Sequence, residues 1–478
     1  MGAFSIPHPE RPIAHRRLLT LVATVAASSM AFFDATVVVV ALPTIERDLD
    51  LGLTGEQWVV LSYSLALASL YLVGGALGDR YGRRRVFAAA TVGFAVASAL
   101  AGAAPTPEIL IAARTLQGIA GAVLTPTSLG LLRATFGRES GRAIGLWSSW
   151  TAVATIAGPP AGGALVEWVS WRFVFFVNLP LAGVTVALAL AGGRDERPHD
   201  GGRLDIPGAV LAALAFAALT FGLVEAGRDG FDAPAAWTAL AAATVAIVAF
   251  LAFERRTAEP MLPLDLFRRR NFSVGNAETF LVYAALNAAM FYLALYLQTV
   301  GFSPFEAGWL LAPASVILVL LAARFGRVAD RRGPRVLLTA GPALIGGGTL
   351  LFVLLGREPE WSRVLPGVLV FGLGLALTVA PITATVLRSA PDRYSGVAAG
   401  VNSTISRLGG LVAIALVGLV IASAYDGPGQ PLAKDQGGEA ARASLDAFRT
   451  GMLATGALAF AGAAIGLAGL SDREYREG

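Results

Sequence analysis

The chain has 478 residues, 55% of them hydrophobic and 15% charged, with a mean hydropathy of +0.65. A soluble domain carries roughly a quarter charged residues, so this composition excludes that class. The net charge of +4 does not point to nucleic acid, because arginines gather in the cytoplasmic loops of membrane proteins.

Further classes fall to absences. There is no cysteine, hence no disulfide and no thiolate metal site. The sole lysine is Lys434, so no GxxxxGK loop exists and the chain is not itself a P-loop ATPase. His8, His15 and His199 lie outside the apolar runs, which leaves carboxylates for any proton relay in the membrane. No HExxH, GxSxG or grouped metal ligands support an enzyme, and no cofactor is expected.

Apolar runs separated by charged breaks predict about fourteen membrane-spanning helices. The first, near 18–42, is too long for the core of a signal peptide and is expected to stay uncleaved. It holds "SSMAFFDATVVVVALP", in which Asp34 stands among apolar residues. A carboxylate in hydrocarbon is costly and faces a pathway or a partner. Further spans fall near 56–77, 86–104, 108–132, 142–165 and 171–192. In the fourth, Arg114 and Gln117 are three apart and share a face. Arg114 is either a snorkelling interface residue or a helix-facing one. Asp34 and Arg114 reach similar depths, roughly 12 and 9 Å from the outer surface at 1.5 Å per residue.

Spans near 206–227 and 235–253 precede "ERRTAEPMLPLDLFRRRN", which reads as a basic cytoplasmic linker. The rest fall near 273–298, 305–325, 336–355, 362–387, 397–424 and 448–470. The ninth carries Glu278, roughly 10 Å from its cytoplasmic end, either a titrating site or a group reached by cytoplasmic water. Tyr283, Asn287, Phe291 and Tyr292 follow at helical spacing, as plain packing or as aromatic faces for a cation. Glu225 and Glu306 lie near outer ends. With the N-terminus inside, roughly 27 of the 37 Lys+Arg are cytoplasmic, so both termini are expected there.

Two loops are alike. Gly75, Asp79, Arg80, Gly82 and Arg84 of "GALGDRYGRRRV" recur as Gly326, Asp330, Arg331, Gly333 and Arg335 of "GRVADRRGPRVL". Pro126, Arg133, Gly141 and Gly145 recur as Pro381, Arg388, Gly396 and Gly400. The two offsets, about 251 and 255 positions, nearly coincide and imply parallel six-helix repeats, a transporter architecture. The expected fold is an all-α polytopic membrane protein: an N-terminal half over 1–192, a two-helix insert over 193–256, and a C-terminal half with its linker over 257–478.

These residues resemble the major facilitator superfamily, specifically its fourteen-helix drug/proton antiporter branch. "GALGDRYGRRR" is similar to the signature between the second and third helices, which implies a conformational latch of Gly75, Asp79, Arg80, Gly82 and Arg83. "LIAARTLQGIAGA" resembles the fourth-helix pattern, with Ala120 where glycine is expected. "GLWSSWTAVATIAGPPAGGAL" resembles the exporter motif through Gly158, Pro159, Gly162 and Gly163, with Ala154 in place of a glycine. "WRFVFFVNLPLAG" and "PMLPLDLFRRRNFS" fit the branch. In "GVAAGVNSTISRLGG" Arg407 falls one place later than expected.

The resemblance implies a proton-coupled exporter of amphipathic compounds, cations foremost, with Asp34, Arg114, Glu278 and Asn287 at the proton and substrate site. Its expected partners are a small-molecule substrate, protons and the lipid of a bacterial plasma membrane, with no nucleic acid, and the unit is a monomer. Export of a dedicated lipid, siderophore or self-made antibiotic is the alternative. Nutrient uptake and a non-transporting sensor stand further off, because a sensor has no need of an intramembrane acid, a latch and an exporter motif together.

Overall fold

The computed structural model describes residues 13–137, 140–192, 206–229, 233–257, 264–391, 395–433 and 438–477. Among them every long element is an α-helix. In hydrocarbon each backbone N–H and C=O must find its partner within the segment, and a helix does this alone. The first group comprises α1 (Ile13–Leu49), α2 (Gly52–Tyr81), α3 (Arg83–Gly102), α4 (Pro107–Phe136), α5 (Ser140–Trp168), the short α6 (Phe173–Phe176) and α7 (Asn178–Ala191). Then come α8 (Ile206–Asp229) and α9 (Pro234–Glu254). The second group comprises α10 (Arg270–Thr299), α11 (Pro304–Arg332), α12 (Arg335–Phe352), α13 (Trp361–Arg388), α14 (Ser395–Ala424) and α15 (Gly438–Gly469), followed by the short α16 (Asp472–Glu477).

All fourteen expected spans are helices, and eleven meet the length and apolarity needed to cross a bilayer among the described residues. The sixth is found as Phe173–Ala191 and is entered through a tight turn. There the Trp171 indole donates to Asp48 (2.8 Å) and the Arg172 guanidinium donates to the carbonyls of Gly102 (3.2 Å) and Ala104 (2.7 Å). Helices α6 and α7 part only at Val177, whose backbone stays helical (φ −59°, ψ −24°). The linker holds a short 3-10 turn, Leu264–Arg268.

Helix pairing repeats. In the first group α1 packs on α5 and α7, α2 on α4, and α3 on α4 and α7. In the second, α10 packs on α14 and α15, α11 on α13, and α12 on α13 and α15. Substituting each helix by its counterpart reproduces the list, which is the parallel repeat seen in the loops. Both repeated loops also turn at a glycine, Gly82 and Gly333, each at φ 96°, a conformation that side chains disfavour.

The groups meet where α5 lies on α11 and α2 on α14, with α1 touching α10 between them. At the α5/α11 crossing, a Cβ on Gly163 would overlap the backbone of Pro304 and Phe305, and one on Gly308 would overlap Pro159. Glycine at both places lets the two backbones touch. Helix α8 packs against both α2 and α14 and so bridges the groups; α9 packs on α8 and leaves Trp237, Val245 and Val248 exposed.

Candidate functional site

Asp34 lies in the seam of α1, α3, α4 and α7 and is fully buried, as is Arg114 at 1% exposure. Arg114 Nη1 donates to Asp34 Oδ2 at 2.5 Å. Gln117 Nε2 and Asn178 Nδ2 each donate to Oδ1 at 3.0 Å. Ser98 Oγ accepts from both amides, at 2.7 and 3.2 Å. Arg114 Nη1 also donates to Gln117 Oε1 (2.8 Å) and its Nε to the Val59 carbonyl (3.1 Å). The guanidinium stacks over the Tyr63 ring, 4.4 Å from its centroid, with Phe175 at 5.8 Å. The carboxylate thus receives three donors, the arrangement that offsets burial of an ion pair. The expected depth match of Asp34 and Arg114 corresponds here to direct contact. Sequence reasoning missed Ser98 and Asn178. The usable signal was Asn178 itself, the one amide side chain in "WRFVFFVNLPLAG".

The exporter-motif residues touch the same helix. A Cβ on Gly158 would strike Thr36 and Phe33, and one on Gly162 would strike Val37. Helix α5 is therefore wedged between α1, at the level of Asp34, and α11.

Glu278 sits elsewhere. It is fully buried in α10, and neither carboxylate oxygen has a hydrogen-bond partner. A Cβ on Gly466 would lie 3.0 Å from its Oε2, and the Leu338 carbonyl borders the same space. That is the seam of α10, α12 and α15, the counterpart of the α1/α3/α7 seam, and Glu278 does not join the Asp34 cluster. Beside it on α10, Asn402 of α14 donates to Asn276 (3.2 Å) and Thr279 (2.9 Å).

The aromatic row on α10 divides. Asn287 Nδ2 donates to its own helix at the Tyr283 carbonyl (2.8 Å) and sits against Gly410 of α14. Phe291 and Tyr292 are buried core. The Tyr292 hydroxyl accepts from Gln57 Nε2 of α2 (2.8 Å) and donates to the Ile414 carbonyl of α14 (2.5 Å), tying the groups together. Other ties lie at the same end, away from the arginine-rich loops. Gln298 donates to the Val40 carbonyl (2.9 Å), the Leu53 N–H to Gln430 (3.2 Å), and the Phe305 N–H, in the first turn of α11, to Glu167 (3.2 Å). A carboxylate suits that positive helix end. Glu306 forms a capping box with Ser303.

Of the expected latch, the side chains of Gly75 and Asp79 lie outside those described. Arg80 is exposed, with its guanidinium 5.7 Å from the Tyr81 ring. Arg83 donates to the Gly130 carbonyl of α4 at 3.2 Å, within its own group. Arg84 is buried and donates to Ala189 (2.5 Å) and Thr20 (3.2 Å). In the counterpart loop Asp330 pairs with Arg388 at 2.9 Å and accepts from the Tyr475 hydroxyl at 2.9 Å. Asp330 and Arg388 stand in the second repeat where Asp79 and Arg133 stand in the first. Burial, and then the bond to Asp330, pushes the Tyr475 hydroxyl up to about 12.

Comparison with known proteins places this arrangement. Residues 24–414 match the family described as Major Facilitator Superfamily. The chain is 33% identical over 410 residues to the multidrug resistance protein Stp of Mycobacterium tuberculosis, covering 85% of this chain and 76% of that one. It is 35% identical over 409 residues to the tetracenomycin C resistance and export protein of Streptomyces glaucescens, with 84% and 76% covered. The multidrug efflux pump LfrA of Mycolicibacterium smegmatis is 33% identical over 398 residues, with 82% and 78% covered. Among solved structures, a bacterial homologue of the lysosomal transporter Spinster superposes with a TM-score of 0.70 at 14% identity over 97% of this chain and 98% of that one, a likeness of fold.

Proposed function

Since the chain belongs to the major facilitator superfamily, we propose that it is a proton-coupled exporter of amphipathic small molecules in the bacterial plasma membrane. The observation that carries this reading is the fully buried Asp34–Arg114 pair, joined through α1 and α5 to the contact between the groups. The names of the relatives, multidrug resistance and efflux proteins, support export over uptake. The tetracenomycin C protein keeps a dedicated antibiotic as the second reading.

The arginine-rich loops face the cytoplasm, and with them both termini. The halves are 1–192 and 257–478, with the insert 193–256 laid across them through α8. Ties at Tyr292, Gln298, Gln430 and Glu167 then close the outer side, and the cavity opens inward. A proton reaching Asp34 from outside removes the counterion of Arg114, which must turn to another acceptor. Cation binding from inside competes for the same carboxylate, and that exclusion is antiport. Asp79 tunes the balance between inward- and outward-open states, and Glu278 and Asn287 contribute from the second half. The working unit is the monomer.

The test is transport in proteoliposomes. With a pH gradient imposed, ethidium should move against its gradient through the native protein and fail to do so through Asp34→Asn. Undiminished gradient-driven pumping by the variant would reduce Asp34 to a structural role.

A further inference from the structure

Arg407 is the one arginine of α14, twelve residues from the helix start and so about 18 Å into the span at 1.5 Å per residue. An arginine at that depth is costly and belongs in a bundle interior or a water-filled cavity. Arg407 is half-buried, and its Nε has no hydrogen-bond partner. Among the described residues no carboxylate pairs with it. Of the carboxylates deep in the spans, Asp34 is held by Arg114, and Glu278 lies in the seam of α10, α12 and α15. Glu56 lies in the first two turns of α2, at the outer end.

What surrounds Arg407 is aromatic. Its guanidinium lies 5.2 Å from the Tyr71 ring centroid on α2. Tyr283 shares the face of α10 that carries Phe280 and Asn287, which meet Gly409 and Gly410 of α14 beside Arg407. Tyr63 lies two turns along α2 from Tyr71, about 12 Å on the same face. Tyr71 and Tyr283 are half-buried. The group thus spans both halves. It lies beneath the outer closure, since Ile414, which accepts from Tyr292, is seven residues, roughly 10 Å, further out along α14. A compound entering from the cytoplasm would meet a lone cation framed by phenol rings. Tyr63 has Arg114 stacked on its ring, so this position adjoins the proton site.

We infer that Arg407, with Tyr63, Tyr71 and Tyr283, forms a subsite for an acidic group, carboxylate or phenolate, on an aromatic substrate. The inference rests on the export reading above and gives it a chemical class. A guanidinium offers a planar fork that matches a carboxylate, and it is desolvated at lower cost than an ammonium. The tyrosine rings supply apolar faces for the ring system and hydroxyls for its polar edge. A substrate with both signs would span the cavity, its cation toward Asp34 and its acid at Arg407.

Two dyes test this, anionic fluorescein and cationic ethidium, each carried by the full-length protein in proteoliposomes under an imposed pH gradient. The native protein should carry both. Arg407→Gln should lower kcat/KM for fluorescein about tenfold or more, as expected when a hydrogen bond to a charged group is lost. It should raise kcat/KM for ethidium, whose charge no longer meets a like one. Arg407→Lys, which keeps the charge without the fork, should lie between, and direct fluorescein binding to detergent-purified protein should follow the same order. A parallel fall for both dyes in Arg407→Gln would make the residue structural and overturn the inference. Native protein that pumps ethidium and ignores fluorescein overturns it too, while leaving the export reading intact. Native protein that pumps neither overturns both.

Discussion

Asp34 and Glu278 lie in matching seams of the two repeats but at opposite depths, Asp34 toward the outer ends and Glu278 toward the cytoplasmic ones. At an offset of about 255 Asp34 itself aligns with Ala289. Asp34 receives donors from Arg114, Gln117 and Asn178, while neither oxygen of Glu278 has any. At the offset of about 255 that aligns α4 with α13, the counterparts of Arg114 and Gln117 are Leu369 and Gly372. Duplication has therefore kept the helix pairing, which depends on small residues and shape, and has let the chemistry diverge. A buried acid with a fixed counterion can report its protonation by moving that counterion. A buried acid without one has nothing nearby to move. On this ground we propose that the coupling role belongs to the first repeat.

The largest effect should come from breaking the pair. Removing one partner of a buried ion pair costs about 3–5 kcal/mol because the other is stranded. Asp34→Asn keeps an acceptor for Arg114, so its loss should sit near the lower end of that range and appear as a reduced melting temperature in detergent. Combining Asp34→Asn with Arg114→Gln removes the stranded charge and should restore much of the melting temperature. Gradient-driven transport should stay lost in the double variant. Recovery of transport together with stability would show the cluster to be a helix clamp and nothing more.

A smaller effect is expected on the other side of the comparison. Glu278→Gln alters a group that makes no hydrogen bond, and it should slow transport a few-fold at most. The melting temperature should hold or rise, since a neutral amide costs less to bury without partners than a carboxylate does. If Glu278→Gln abolishes gradient-driven transport while Asp34→Asn spares it, the assignment of the two seams must be exchanged.

Much of this was legible in the sequence, and the reason is physical. Membrane spans are written in long apolar runs that leave little choice of secondary structure, so all fourteen helices could be read directly. The repeat was written in glycines and charges whose backbone turns, at Gly82 and Gly333, tolerate few substitutes. Asp34 and Arg114 stood out because charge in hydrocarbon is rare. Ser98 and Asn178 did not, since small polar residues are common in spans and nothing local says where they point. The turn that leads into α6 is held by contacts of Trp171 and Arg172 with distant chain, and no window of sequence contains them. The partition of the α10 row was hidden for the same reason: helical spacing gives a shared face, while the neighbouring helix decides whether a residue there bonds across the groups, as Tyr292 does, or packs.

The smallest effect belongs to the paired loops and sharpens the comparison where the two repeats agree. Asp330 pairs with Arg388 and accepts from the Tyr475 hydroxyl, which closes α16 over the end of α11. An ordinary tyrosine titrates near 10, roughly two units below the value of about 12 that this environment imposes. A group whose pKa is raised on folding contributes stability that is fully present below its unfolded value and is lost as pH rises through its folded one. The contribution of Tyr475 is therefore intact at neutral pH and fades between about 10 and 12. Tyr475→Phe deletes one hydrogen bond to a charged acceptor and should lower neutral-pH stability by about 1–2 kcal/mol. It should also flatten the alkaline limb of the melting temperature over that window. Transport should change little, because the ion pair of Asp330 with Arg388 remains. A melting curve against pH that is the same for Tyr475→Phe and the native protein would mean that the hydroxyl contributes nothing to the loop, and that the ion pair alone holds this end.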